Sequence, residues 1–257
     1  MSATSLADKV IGSGVVTDKT GREHRLNSGI SREEGDFVAR LIRENSITRS
    51  IEIGCAHGIS SLYICDALGG RPGAKHVIID PFELTEWHGI GLHNLEQAGL
   101  SGYEFIDKPS EFALPALLES GQTFDFALID GFHRFEHALL DFFYLDRLLN
   151  IGGLLVFDDA RLPPVRKVLR YVSNFPSYQM VGAVDVQGRK GTWERRLLNC
   201  IKQGIHFVLK PVPKRLLCEI FDDSVVRPDT LLNLNASMIA FRKTAPDQRP
   251  DCWYIPF

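Results

Sequence analysis

The sequence predicts an α/β fold in which helices cover both faces of a mostly parallel β-sheet. Short apolar runs alternate with stretches of helical periodicity along most of the chain, and such alternation requires crossover connections between parallel strands. Three of the apolar runs end in aspartate, as Ile-Ile-Asp, Leu-Ile-Asp and Val-Phe-Asp-Asp. Sheets of this kind bind ligands at the carboxyl ends of their strands, so these acids indicate a ligand site.

The elements are predicted in a regular order that begins with an amphipathic helix capped by Ser31. Predicted strands lie near Ser50–Ile53, His76–Ile79, Tyr103–Ile106, Phe124–Ile129, Leu154–Phe157 and Ala236–Arg242. Predicted helices lie near Ser60–Leu68, Leu92–Ala98, Glu111–Leu118, Phe135–Leu149 and Pro164–Asn174. The phenylalanines at 132, 135, 142 and 143 are predicted to face the core from a helix.

The domain organisation follows from where this alternation stops. Residues 1–30 are predicted to be an N-terminal extension and residues 31–186 the core. Residues 187–229 are rich in Arg, Lys and Pro and interrupt the alternation, which predicts an inserted cap or an oligomer contact. Residues 230–257 are predicted to return to the core with one strand and a tail. Apolar residues at 216–217 and 220–221 leave a homodimer open.

The composition limits the classes of partner. With 44% hydrophobic and 24% charged residues, the 257-residue chain has the composition of an ordinary globular protein. A net charge of -3 gives no concentrated basic face, so no nucleic acid partner is expected. The N-terminal residues lack a signal-peptide pattern and no apolar run could span a bilayer, so no membrane partner is expected. Five cysteines without paired spacing predict reduced, packed thiols and a cytoplasmic location.

Two glycines form the first candidate ligand site. Gly54 and Gly58 follow a β-type run, and a helical pattern begins directly after them. Glycines allow sharp backbone turns and close approach of a ligand, while a helix start offers free N–H groups to a negative group. Asp80 ends the next strand 22 residues after Gly58, close to the offset at which an acid binds ribose hydroxyls. The glycine spacing alone is equally compatible with close helix–strand packing.

Three aspartates form the second candidate site. Asp130, Asp158 and Asp159 end two apolar runs that the alternation makes neighbours in the sheet. A set of carboxylates suits a hard divalent cation such as Mg²⁺ rather than zinc or copper. Each aspartate alone could be a strand-end acid, a turn residue or a helix cap. Together with His133, three residues after Asp130, they predict a metal site beside a nucleoside site.

The first site resembles a known family. Glu52-Ile-Gly54-Cys-Ala56-His-Gly58-Ile-Ser60 is similar to the opening motif of the class I S-adenosylmethionine-dependent methyltransferases. The similarity is to the metal-dependent O-methyltransferases of the catechol type and to the bacterial macrolide-sugar and aminocoumarin O-methyltransferases. It implies a Rossmann-like sheet of seven strands. It also implies S-adenosylmethionine as the cofactor.

The resemblance, which extends over roughly residues 51–159, implies roles for single residues. The cofactor-binding residues would be Glu52, Gly54, Ala56, Gly58, Ser60, Asp80 and Ser110. Gly54, Ala56 and Gly58 would line the methionine moiety, and Ser60 would bind its carboxylate. Asp80 would then bind the ribose, and Ser110 or its neighbours the adenine.

The second site fits the same family. Metal-dependent O-methyltransferases carry one aspartate after the fourth strand and an acidic pair after the fifth, which correspond here to Asp130 and to Asp158 and Asp159. The resemblance implies that these residues bind Mg²⁺ and that His133 acts as the general base, with Asp130 at the reaction centre. The implied reaction is methylation of a hydroxyl on a small molecule, either a natural-product sugar or a phenol.

Two alternatives remain open at this point. An NAD-dependent oxidoreductase would use Gly54, Gly58 and Asp80 in a similar way, but Ala56 stands where its fingerprint has a glycine and the three aspartates would have no role. A non-catalytic binding module with the same fold would use the aspartates only as caps.

Overall fold

The computed structural model describes residues 3–185, 234–255 and 257, together with isolated residues at 197, 200, 201, 204, 207, 208, 229 and 232. Most of the predicted insertion at 187–229, including the apolar residues at 216–217 and 220–221, therefore lies outside the described residues. Among the helices described, none is both long and apolar enough to cross a bilayer.

A two-stranded ribbon and a seven-stranded sheet make up the β-structure. The strands are β1 (Val15–Thr17), β2 (Glu23–Arg25), β3 (Arg49–Ile53), β4 (Lys75–Ile79), β5 (Tyr103–Ile106), β6 (Phe124–Ile129), β7 (Leu149–Phe157), β8 (Tyr178–Val184) and β9 (Met238–Lys243). The large sheet has the order β5-β4-β3-β6-β7-β9-β8. Strands β3 to β7 pair in parallel, whereas β9 is antiparallel to both β7 and β8. The predicted seven-stranded, mostly parallel, Rossmann-like sheet is confirmed.

Helices cover the sheet on both faces. They are α1 (Ala3–Ser13), α2 (Arg32–Glu44), α3 (Ile59–Leu68), α4 (Ile90–Gln97), α5 (Ser110–Glu119), α6 (Phe135–Leu148) and α7 (Pro163–Val172). One apolar core contains buried residues of α1 to α4, and a second core contains those of α5 to α7. Side chains alternate along a strand, so Ile51 and Ile53 enter the second core while Ser50 and Glu52 point to the opposite face.

The strand register aligns the predicted site residues. Ile53 pairs with both Ile79 and Ile129, and Ile129 pairs with Phe157. The residues that follow these four, Gly54, Asp80, Asp130 and Asp158, therefore start at one edge of the sheet. Backbone hydrogen bonds continue the pairing beyond the strand ends, from Gly54 N to Ile79 O (2.9 Å) and from Asp130 N to Ile53 O (3.0 Å).

Several elements differ from the sequence prediction. Helix α1, strands β1 and β2 and the edge strand β8 were not predicted. Strands β1 and β2 have only three residues each, too few for a recognisable period. Strand β8 contains Gly182, which weakens the strand pattern. The predicted strand Leu154–Phe157 begins five residues earlier, because Leu149 already pairs with Phe124 across an irregular register.

The cysteine prediction holds for part of the chain. Cys55 and Cys65 are buried as small apolar side chains, and burial raises the pKa of the Cys55 thiol well above its usual value. Cys200 and Cys252 are free and exposed, contrary to the expectation that all five thiols are packed. Cys252 lies in the C-terminal tail beyond the last strand of the sheet, in a turn where the next residue, Trp253, packs against the second core instead.

Candidate active site

A cavity of 470 Å³ opens at the carboxyl ends of the central strands. This volume is within the range of small-molecule and cofactor sites. Four of the predicted cofactor-binding residues line the cavity: Gly54, Ala56, Asp80 and Ser110. Apolar walls come from Ile53, Ile79, Pro81, Phe82, Trp87, Pro109 and Phe132. The combination of apolar walls and a few convergent polar groups is typical of a site for a nucleoside-sized ligand.

Asp80 joins two neighbouring strand ends. Its Oδ2 atom accepts hydrogen bonds from the backbone N–H groups of Cys55 (2.8 Å) and Ala56 (3.1 Å), and its Oδ1 atom accepts one from Phe82 N (2.8 Å). The carboxylate therefore fixes the loop after β3 while its oxygens remain at the wall of the cavity. A carboxylate has about four lone-pair sites, so Asp80 can still accept hydroxyl protons from a ligand.

The glycines of this loop are needed for close packing. Gly54 has φ +94°, and a Cβ at this position would lie 2.2 Å from the carbonyl oxygen of Asp130. Gly58 has φ +72°, and its Cβ would lie 2.8 Å from the Cα of Gly91 in α4. Gly54 thus brings β3 and β6 together beneath the cavity, whereas Gly58 provides contact between helices and does not line the cavity.

Glu52 and Ser60 also lie away from the cavity. Glu52 is fully buried on the face of β3 turned away from it, where its Oε1 accepts a hydrogen bond from Ser61 and lies 3.1 Å from His76 Nε2. Ser60 is buried within the first turn of α3. The structure therefore brings four of the seven predicted cofactor residues to one cavity and leaves Glu52, Gly58 and Ser60 outside its lining. Direct cofactor contacts by these three residues stay a prediction.

The acidic residues surround a second, polar cavity beside the first. Its described lining includes Asn27, Ser28, Gly29, Glu34, Asp130, His133, Asp158, Asp159, Arg161, Leu162 and Ser237. His133 Nε2 lies 3.0 Å from Asp159 Oδ2. One ligand atom each from Asp130, His133 and Asp159 lie within 4.8 Å of one another. Asp158 lines the same cavity but is not one of these three residues. His133 takes the place in this group that the sequence predicted for Asp158.

The charges of this cluster are poorly compensated by the protein itself. Burial, followed by the charges of Asp158 and Asp159, raises the pKa of Asp130 well above its usual value. Burial, followed by the charges of Glu34 and Asp159, does the same for Asp158. Bringing a divalent cation to these oxygens would reverse both effects. The donor set of carboxylates and one imidazole therefore fits a hard divalent cation, and Mg²⁺ suits the oxygens best.

The structure excludes the helix-cap alternative for Asp159, whose carbonyl oxygen accepts a turn hydrogen bond from Leu162 N (2.9 Å). Helix α7 is capped at Leu162, so Asp159 is not its N-cap. Asp159 has φ +49°, a left-handed conformation that costs free energy in any residue with a side chain. Strained residues of this kind concentrate at functional sites, where the surrounding structure holds them in place.

Sequence reasoning missed several residues of the site. Glu34 was predicted only as part of a helix start, and its side chain does accept hydrogen bonds from Ser31, but it also lines the acidic cavity. Phe132 was predicted to face the core, yet it is 48% exposed and lines the first cavity, because α6 begins only at Phe135. Asp141 lines that cavity from within α6. An acid among the apolar positions of a helix is a signal that could have identified it.

Comparison with known proteins agrees with the fold. Residues 51–160, fewer than half of the chain, match the family model described as a methyltransferase domain. The strand order and the cavity at the carboxyl ends of the strands agree with this similarity.

The similar proteins include several O-methyltransferases. The chain is 29% identical to caffeoyl-CoA O-methyltransferase 2 of Petunia hybrida over 56% of its own length and 63% of the relative's. It is 26% identical to catechol O-methyltransferase of Mycobacterium tuberculosis over 64% of its own length and 77% of the relative's. The O-methyltransferase of Bacillus cereus, solved in complex with SAH, has a similar fold, with a TM-score of 0.58 and 18% identity over 74% of this chain and 86% of that one. The alignment thus spans somewhat less than two thirds of the Petunia enzyme.

Proposed function

We propose that the protein uses S-adenosylmethionine to methylate a hydroxyl group of a small molecule, with the assistance of a bound Mg²⁺ ion. One observation carries this proposal: Ser28, Asp130 and His133 line both the first cavity and the acidic cavity. A donor in the first cavity and an acceptor in the second would meet at these residues, as transfer of a methyl group between two molecules requires.

The first cavity supports the donor assignment. Gly54 and Ala56 present backbone to the ligand with little side-chain bulk, as expected beneath the methionine part of the donor. Asp80 lies at the end of β4, where an acid binds ribose hydroxyls in folds of this type. Ser110 lies at the start of α5, on the far side of Asp80, and is the proposed neighbour of the adenine. The solved relatives bound to SAM or SAH belong to the same fold.

The reaction needs alignment and removal of one proton. The acceptor oxygen would attack the methyl carbon of the sulfonium, the carbon–sulfur bond would break, and the hydroxyl proton would leave to His133. His133 stands between the two cavities, within reach of either ligand. Asp159, 3.0 Å from its Nε2 atom, would orient the imidazole and stabilise its protonated form.

The acidic cluster is proposed to hold the metal ion. Asp130, Asp158 and Asp159 would supply carboxylate oxygens, and the two buried carboxyls, Asp130 and Asp158, would be stabilised in their charged forms. Bound Mg²⁺ supplies Lewis acidity, which lowers the pKa of a coordinated hydroxyl and orients it. The division of tasks leaves positioning to the acidic cluster and proton removal to His133.

The lining of the second cavity bears on the acceptor. Asn27, Ser28 and Ser237 offer uncharged hydrogen-bonding groups beside the acids. The names of the relatives point to caffeoyl-CoA and catechol as acceptors of those enzymes. We propose a natural-product sugar or a phenol as the acceptor for this chain, and the polar lining favours the molecule with more hydroxyl groups. A homodimeric state and a cytoplasmic location stay predictions from the sequence.

Calorimetric titration tests the donor assignment. We expect the protein to bind S-adenosylhomocysteine and not NAD, because Ala56 and the acidic cluster do not suit a dinucleotide. Binding of NAD without binding of S-adenosylhomocysteine would support the oxidoreductase alternative instead. Transfer of labelled methyl groups to matched panels of polyhydroxylated sugars and catechols, each with and without Mg²⁺, then tests the acceptor class. Failure of every acceptor with donor binding intact would support a non-catalytic binding module.

A further inference from the structure

Asp141 is a buried acid without an adequate partner. It lies in the middle of α6, is only 1% exposed, and contributes to the wall of the first cavity. Its Oδ1 atom is buried and has no hydrogen-bond partner among the described residues. Ser110, across the packed pair of helices α5 and α6, is its polar neighbour in the same wall. Asp141 therefore presents an unused acceptor oxygen at the cavity.

The position is unfavourable for an acid unless a ligand compensates it. The neighbouring buried positions of α6 carry Ala138, Phe142 and Leu145, so an apolar residue would suit the helix better. Burial raises the pKa of Asp141 to about 7, and the Ser110 hydroxyl opposes this effect only in part. A buried acceptor left unsatisfied destabilises the fold, which is why such groups in native proteins call for an explanation.

We propose that Asp141 recognises the adenine of the methyl donor by accepting a hydrogen bond from its exocyclic amino group. The inference rests on the proposed function, because it assumes an adenosyl ligand in the first cavity. Asp80 marks the ribose end of that ligand, and Ser110 with Asp141 lies beyond it, on the face of the sheet that α5 and α6 cover. Neither the family match nor the relatives assign a role to Asp141.

The walls around Asp141 suit a flat, aromatic base. Phe82 and Phe132 line the same cavity, with ring centres 5.6 Å apart in an edge-to-face arrangement. Ile79 and Pro109 add apolar surface. A planar base packed among these side chains would have few polar partners, so one carboxyl at its edge would decide which base is accepted. The ionised carboxylate can accept a hydrogen bond from the amino group, whereas the oxygen of a 6-oxo purine would place a second acceptor against it, so the two bases are compared at a pH above the raised pKa of Asp141.

The test is the choice between two ligands that differ at this one group. Binding constants for S-adenosylhomocysteine and S-inosylhomocysteine are measured by calorimetry on the wild-type chain, on Asp141→Asn and on Glu119→Gln. Glu119 is an exposed acid at the end of α5 that lines neither cavity, so Glu119→Gln removes a carboxylate from the same pair of helices and is the matched control. We expect the wild type and Glu119→Gln to prefer the adenosyl ligand by about tenfold or more, the effect of one unsatisfied buried group.

Asp141→Asn is expected to reduce this preference to within about threefold, because an asparagine side chain can turn either its N–H₂ or its oxygen towards the ligand. Equal binding of both ligands by the wild type would overturn the proposal. An unchanged preference in a folded Asp141→Asn would also overturn it. Absence of binding of either ligand to the wild type would overturn the proposed function itself, and this inference with it.

Discussion

The Nε2 atom of His133 lies 3.0 Å from the Oδ2 atom of Asp159, so the histidine that follows β6 contacts the second acid that follows β7. The contact links two loops that are separated along the chain by a whole helix and a strand. It places an imidazole at the boundary of the two cavities with an acid to orient it.

Replacement of His133 by alanine is expected to lower the turnover of methyl transfer roughly 10²–10⁴-fold, because the proton of the acceptor hydroxyl would lose its base. The affinity for S-adenosylhomocysteine should remain within about threefold, since the donor contacts are mainly apolar and backbone contacts. Steady-state kinetics and calorimetry check the two parts. His93→Ala removes a histidine of α4 that lines neither cavity and should retain wild-type turnover. Near-normal turnover of His133→Ala would exclude the general-base role.

Replacement of Asp158 by asparagine is expected to stabilise the metal-free protein and to abolish its stabilisation by Mg²⁺. The buried charge of Asp158 raises the pKa of Asp130, so its removal relieves repulsion in the apo protein. The same change removes an acidic ligand, so Mg²⁺ should no longer raise the Tm by preferential binding to the folded state. Thermal unfolding with Mg²⁺ and with chelator measures both effects.

Asp107→Asn is the matched control for this prediction, because Asp107 follows β5 at the same edge of the sheet but is exposed and lines neither cavity. Its Tm should respond to Mg²⁺ as the wild type does. A Mg²⁺ response that survives in Asp158→Asn would remove Asp158 from the metal site, in keeping with its absence from the closest ligand group.

Replacement of Gly54 by alanine is expected to destabilise the fold more than replacement of Gly73. Both glycines have positive φ angles, +94° and +76°, so each substitution costs about 1–2 kcal/mol of backbone strain. Only at Gly54 would the new Cβ meet the carbonyl oxygen of Asp130, whereas no atom lies within 4 Å at Gly73. Denaturant unfolding should show a larger loss at Gly54 by about 2 kcal/mol or more. Equal losses would show that β3 and β6 can separate without cost.

The stability of the wild type should fall relative to Asp141→Asn as the pH rises from about 4 to about 7. The folded-state pKa of Asp141 is raised from 3.8 to about 7 by burial, so in this interval the unfolded chain releases a proton that the folded chain retains. Below this pH range Asp141 is protonated in both the folded and the unfolded chain, and above it the buried, ionised carboxyl destabilises the fold by its full amount. The penalty is at most about 4 kcal/mol, at about 1.4 kcal/mol per pH unit. Unfolding of both proteins at matched pH values measures the difference.

Asp125→Asn should show the opposite dependence on pH. Burial raises the pKa of Asp125, but hydrogen bonds from Asn150, Arg49 and Thr48 outweigh this effect and lower the pKa below its usual value. The stabilisation by this carboxylate is therefore present above the unfolded pKa and is lost as the pH falls through the folded pKa. Asp125→Asn should lose stability at neutral pH relative to the wild type. If the stability differences of Asp125→Asn and Asp141→Asn from the wild type changed with pH in the same direction, the two opposite pKa shifts would be contradicted.

Much of the sheet could be predicted because its strands are buried on both faces. Strand β6 is a continuous apolar run after Asp125 and was predicted at its observed bounds, and the acids at the strand ends were identified as a ligand edge. Strand β8 could not be predicted in the same way, because an edge strand with one exposed face carries a weaker apolar pattern. Sequence patterns report burial, and they are clearest where burial is complete.

The sequence by itself determined which residues lie at the carboxyl edge of the sheet, because each of them follows a strand that can be recognised as an apolar run. Tertiary structure alone decided which way each side chain points. Glu52 belongs to the same motif as Gly54 and yet faces the interior, because strand geometry alternates the faces. Asp141, distant from the motif, reaches the cavity because α5 and α6 pack together. Residues that packing brings together have no fixed spacing in the chain, so no local pattern predicts which of them will be in contact.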